Sequence, residues 1–246
     1  MKILLLNPNM SNSMTDAMHA VAIKSVAPDT VIELATAKTG FPYISSRAEA
    51  QIAGAIALDM IAERVNDIDA VIIAAFGDPG LRAARELFDI PVIGMAEAAM
   101  LSACMLGSRF SIVTFTPNMA PWYEESVALA GLQSRFASVR IPSSNFKSID
   151  TVQDDLFEVL TDLVDLAVEE DGADVVILGG APLAGLAMRI EGAKAVLVDP
   201  ISAAICQAQA MVKISPKGAH AGSYKRPPAK ANVGLPTALS GWIGRL

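Results

Sequence analysis

Two cysteines and two histidines in 246 residues are too few, and too scattered, to give metal-ligand spacing or a disulfide framework. Charged residues make up only 18% of the chain, and 19 basic residues against 26 acidic ones leave a formal charge of −7. That balance argues against nucleic-acid phosphates as the main partner. No apolar run approaches the roughly 18 residues a membrane span needs. The opening Met1-Lys2-Ile3-Leu4-Leu5-Leu6 stops at Asn7-Pro8-Asn9, too soon for the apolar core of a secretory signal. The expectation is a cytoplasmic protein with no structural metal, no membrane and no nucleic acid, acting on a small molecule.

What is present is apolar substance, 52% of the chain, enough for a large core or for two domains of roughly 100 to 120 residues. Short apolar runs alternate with helical patterns. The runs are 2–6, 31–37, 70–75 and Pro91–Met95, then 109–115, 136–141, 173–180 and 195–199. Helical spacing follows at 47–65, 81–88, 96–106, 120–130, 152–170 and 201–212, with a short helix expected after the 173–180 run and Ser11 or Ser13 placed to cap a helix after the first run. Continuous apolar strands alternating with helices predict α/β architecture with parallel sheets covered on both faces. The glycine-, proline- and lysine-rich tail from Lys213 is expected to wrap the surface.

The halves repeat. Asn7-Pro8-Asn9-Met10 matches Thr116-Pro117-Asn118-Met119, Ala75 to Leu81 matches Gly180 to Leu186, and Glu97 to Cys104 matches Asp199 to Cys206, at offsets of 109, 105 and 102. Open parallel sheets bind ligands at their carboxyl ends, so duplicated halves would face one another across an interdomain cleft. Four clusters border that cleft: Asn7, Asn9 and Ser11; Ala75, Phe76 and Gly77; Thr114, Thr116 and Asn118; Gly179, Gly180 and Ala181. Small residues there leave backbone N–H groups open, and helix N-termini follow, which suits a carboxylate or an imide or carbonyl oxygen.

Each candidate has a plainer role beside the functional one. Asn7 and Asn9 line the pocket or build a turn. Asp78 is a catalytic acid or base, or the cap of a helix beginning at Pro79. Cys104 and Cys206 pack as small hydrophobes in helix cores, and Glu97 and Asp199 cap those helices. Trp122 and Tyr123 close over a ligand or sit on a helix surface. His220, in the basic tail, is expected to be solvated.

NPNMS near the start, AAFGDPGL, RFSIVT, VVILGGAPLAGLA and the late GSYKRPPAK together resemble the Asp/Glu/hydantoin racemase family, and most of all its hydantoin and allantoin racemases. The resemblance runs nearly end to end. It implies two pseudo-symmetric domains with parallel four-stranded sheets, residues 1–95 plus about 205–246 forming the first and 96–204 the second. It further implies exchanged terminal helices, a site between the domains, a homo-oligomer and no cofactor. Racemising members use two cysteines at the ends of the third and seventh strands, and the matching positions here are Ala75 and Gly180. Neither can transfer a proton. Three readings follow: an isomerase working beside a carbonyl of a substrate such as a 5-substituted hydantoin without two thiols, a lyase or ring-opening hydrolase of the same lineage, or a non-catalytic protein that binds a small acid.

Overall fold

The computed structural model describes residues 1–219 and 221–244. Its first sheet holds β1 (Lys2–Asn7), β2 (Val31–Thr36), β3 (Ala70–Ile73) and β4 (Val92–Gly94) in the order β2-β1-β3-β4. Its second holds β5 (Phe110–Val113), β6 (Phe136–Arg140), β7 (Val175–Leu178) and β8 (Val196–Val198) in the order β6-β5-β7-β8. All pairings are parallel, and the two orders are the same. The central strands β1, β3, β5 and β7 are almost wholly buried. This is why they read as unbroken apolar runs, while the edge strands β2 and β6 keep polar, half-exposed positions.

The helices are α1 (Asn12–Ser25), α2 (Arg47–Ala62), α3 (Leu81–Leu87), α4 (Met95–Leu106), α5 (Ala120–Leu129), α6 (Val152–Asp155), α7 (Phe157–Glu169), α8 (Pro200–Ile214) and α9 (Thr237–Gly244). Ser11 caps α1 by accepting from the Met14 N–H. The helix after β4 leaves its own sheet: α4 packs on β7 and β8, and α8, which follows β8, packs on β3, β4 and α1. One apolar core therefore runs through both sheets, with Leu5 and Ile72 at one end, Ile112 and Ile177 at the other, and Met100 and Ile205 between. The outer face of the first sheet buries α2 and α3 residues together with Leu239 of α9, and the outer face of the second is covered by α7.

Several expectations shift. The helix expected over 152–170 breaks at Leu156 (φ −118°), which turns its side chain into the core. After β7 there is no α-helix but two 3-10 turns, because Pro182 and the left-handed Gly185 interrupt the chain. Sheet register also moves two of the repeat alignments. Leu6 pairs with Ile73 and Val113 with Leu178, so Asn7 corresponds to Thr114 and not Thr116; Ile93 pairs with Ile72 and Val198 with Ile177, so Asp199 corresponds to Gly94 and not Glu97. The cysteines are not in the core: Cys104 is half-buried and Cys206 exposed. Trp122 and Tyr123 are buried and do not lie on the helix surface. His220 lies outside the described residues.

Because α8 belongs by sequence to one half and by packing to the other, Ile205→Ala is expected to cost about 2–5 kcal/mol and to lower the stability of both sheets together. Urea unfolding followed separately through Trp122 and Trp242 should give coincident transitions with a common shift.

Candidate functional site

The loops leaving β3 and β7 are held by two carboxylates. Asp78 accepts the N–H groups of Ala96 and Glu97, both at 2.8 Å, and so caps α4; α3 begins at Leu81 behind Gly80 with no side-chain cap. The cap thus serves a helix eighteen and nineteen residues ahead, not the one beginning beside it. The N-cap position of α4 is Gly94, and a Cβ there would run into the Asp78 carboxyl. In the other half the N-cap Asp199 works on its own helix through Ile201 and Ser202 N–H, each at 2.9 Å, and reaches back to the loop by accepting Gly185 N–H at 2.7 Å. Glu97 stands in the first turn of α4, as the dipole reading expects, but caps no N–H and pairs with Arg85 across the loop.

Asp78 is the sole non-glycine residue with positive φ (50°) among the described residues. Burial pushes its carboxyl up to about 7, against the pull of the Ala96 and Glu97 N–H donors; nearby Glu97 adds to the rise and Arg85 opposes it.

The sequence-derived candidates then divide. Asn9, Ala75, Phe76, Gly180 and Ala181 line one cavity of about 20 Å³, with Tyr43, Ile44, Met119 and Tyr123. Asn7 is fully buried and spends its amide on the loop, reaching Asn9 Oδ1, the Ser11 carbonyl and Thr15 Oγ1 at 3.0–3.1 Å. Ser11 is the helix cap, and Asn118 is exposed in the 3-10 turn Pro117–Met119 that Thr116 precedes. Gly77 and Gly179 are covered from the opposite half, since a Cβ at Gly77 would strike the Trp122 indole and one at Gly179 would stand 3.4 Å from the Phe76 ring. Phe76 and Tyr123 complete this interlock with ring centroids 4.6 Å apart.

Polar groups at the cavity are underused. Tyr43 OH on the cavity wall, and the Thr114 hydroxyl behind it near the Tyr123 phenol, are sealed from solvent without a partner of hydrogen-bonding geometry among the described residues. Among the described residues Asn9 Nδ2 has only the Met14 sulfur, at 3.6 Å. The backbone N–H groups of Phe76, Gly77, Gly180 and Ala181 have no acceptor among the described residues. Burial raises both Tyr43 and Tyr123 well above the ordinary phenol value, so at neutral pH they are donors and not bases. Tyr43 was missed in the sequence, where a lone tyrosine in a loop carries no pattern.

Gly180 is more than a residue without a thiol. Its φ is +121°, and a Cβ would sit 3.0 Å from Phe115 Cε1 and 3.5 Å from Tyr123 OH. The space of a side chain has been taken by neighbouring rings.

Two parallel sheets of one order, exchanged helices and strand-end loops meeting at one cavity define the class of the racemase-type α/β proteins. The family model described as Asp/Glu/Hydantoin racemase matches residues 3–208, and the chain belongs to that family. It is 34% identical to the hydantoin racemase of Paenarthrobacter aurescens over 233 residues, 94% of this chain and 99% of that protein. Among solved structures, the allantoin racemase from Klebsiella pneumoniae superposes with a TM-score of 0.90 at 32% identity, covering 97% of this chain and 98% of that one. An allantoin racemase from Pseudomonas fluorescens gives 0.88 at 30%, covering 95% and 100%. Among the described residues no helix is long and apolar enough to cross a membrane, and no cluster of His, Cys, Asp and Glu could hold a metal.

The raised Asp78 carboxyl carries a pH signature. Its folded value near 7 lies above the unfolded value of about 3.9, so stability present below about pH 4 is lost as pH rises to about 7 and then levels off. Asp78→Asn should remove this slope and, by setting an amide donor against a backbone N–H, cost about 1–3 kcal/mol. Urea midpoints of both proteins at pH 5 and pH 8 measure it.

Proposed function

We propose that the chain acts on a small cyclic amide of the hydantoin type, at the carbon beside a carbonyl, in the crevice between the two sets of strand ends and without thiol chemistry. The observation that carries this reading is that Ala75 and Gly180, from different halves, share one cavity wall with Asn9, Tyr43 and Tyr123. The substrate class comes from the hydantoin and allantoin racemases to which the chain is similar over nearly its whole length.

Loss of a ring proton beside a carbonyl puts negative charge on the carbonyl oxygen. Neutral buried phenols and unpaired backbone N–H groups are suited to hold that charge, and such donors are worth most where charge develops. Neither Ala75 nor Gly180 titrates, so the proton leaves to water or hydroxide and returns from water to either face. Lacking positioned acid–base groups typically forfeits about 10²–10⁴ in rate, and slow turnover is expected. A second reading, an inert binder of the same ligand, is favoured by the lack of any thiol, carboxylate or imidazole on the cavity wall.

Enantiopure 5-benzylhydantoin in heavy water separates the two. The proposal expects deuterium at the ring carbon and loss of optical rotation, both faster than in buffer, and a drop of about 10²-fold or more in the enzymatic part for Tyr123→Phe. A thermal shift with neither change supports the inert binder. Ring-opened product without deuterium would assign a hydrolase or lyase.

A further inference from the structure

The cavity at Ala75 and Gly180 holds about 20 Å³, room for about one water molecule and far less than a substituted ring requires. Beside it lies an open chamber of about 500 Å³ between α2, the β3–α3 loop, α4 and α5. The two are one residue apart on each side: Phe76 faces the inner cavity and Gly77 the outer chamber, while Tyr123 faces the inner and Trp122 the outer. Trp122 lies on the Gly77 backbone, where no side chain stands beneath it, and its ring centroid is 6.2 Å from that of Tyr123. The wall between the chambers has the Trp122 indole on its outer side and the Phe76 and Tyr123 rings on its inner side.

The outer chamber has a distinct chemistry. Gly54, Ala55, Leu58, Met100, Trp122 and Leu129 give it small and apolar walls. The polar side chains at its border are mostly committed elsewhere. Asp78 holds the α4 N-terminus, Glu97 holds Arg85, Arg82 donates to the Leu129 carbonyl, and Ser126 donates to the Trp122 carbonyl. A polar substituent entering there would give up water and find few partners.

Building on the cyclic-amide reading, we infer that this chamber is a second compartment of the binding site that takes an apolar substituent of the ligand, joined to the inner cavity when Trp122 lifts from Gly77. The chain should accordingly bind hydantoins carrying an alkyl or benzyl group far better than allantoin, whose substituent is a polar ureido group. Trp122 and the α2 wall set this preference.

The test uses the full chain with Trp242→Phe, leaving Trp122 as the one indole, and Ala55→Phe to fill the chamber from an exposed position. Three probes are titrated against Trp122 emission: 5-benzylhydantoin, unsubstituted hydantoin, and toluene as a ring without the amide. The inference expects toluene and 5-benzylhydantoin to perturb the emission, and Ala55→Phe to abolish the toluene response and weaken 5-benzylhydantoin by about 10-fold or more, with unsubstituted hydantoin changed less than about twofold. Equal weakening of both hydantoins, or a Trp122 blind to toluene, overturns it. Emission that depends on protein concentration without any probe overturns it too, assigning the chamber to a second copy of the chain. If neither hydantoin binds, the cyclic-amide reading fails, and the toluene arm still decides whether the chamber is an apolar compartment.

Discussion

One carboxylate at the head of each exchanged helix fixes the geometry on which the site depends. Helices α4 and α8 each start at a strand end of one sheet and pack on the other, so their first turns sit where both halves meet. Their unpaired N–H groups need acceptors, and Asp78 and Asp199 supply them while gripping the loops after β3 and β7. The two solutions differ in a telling way. The second half keeps its acid on the N-cap, whereas the first has glycine there and draws the acid from the loop, where Asp78 stands at positive φ. The strain lies in the loop that carries Ala75, where such backbone outliers point to function.

Between those straps the halves are locked by rings set on glycines. Across the halves Trp122 covers Gly77 and Phe76 approaches Gly179, while within the second half Phe115 and Tyr123 crowd Gly180. The Phe76–Tyr123 ring pair, which also spans the halves, adds about 0.5–1.5 kcal/mol beyond burial. The same packing removes the space that an acid–base side chain at Gly180 would need and leaves hydroxyl and amide donors around a small cavity. Under the proposed reading, the chemistry these groups offer is stabilisation of negative charge on a carbonyl oxygen, with proton transfer left to solvent.

Much of the fold was legible because strands buried on both faces must be apolar throughout, and β1, β3, β5 and β7 are. The repeat was legible for the same reason, since Ala75 to Leu81 and Gly180 to Leu186 each close a buried strand. What escaped reading depends on contacts distant in sequence. The donors that the Asp78 carboxylate accepts, at Ala96 and Glu97, are backbone N–H groups that leave no trace in residue type. The facing of Cys104 and Cys206 was hidden because α4 and α8 are rich in alanine and apolar nearly all round, so their periodicity does not mark an inner side. Helix-surface and cavity positions for Trp122 and Tyr123 look alike until α5 is docked on the opposite loop.

The claim at the centre is that the strand ends carrying Ala75 and Gly180 still form the ligand site. Alanine-methyl NMR tests it directly, with the Ala75 resonance assigned through Ala75→Gly and 5-benzylhydantoin as the titrant. The account predicts that the Ala75 and Ala181 methyls shift first and saturate together. Saturable binding that moves other alanines while these two stay in place would contradict it.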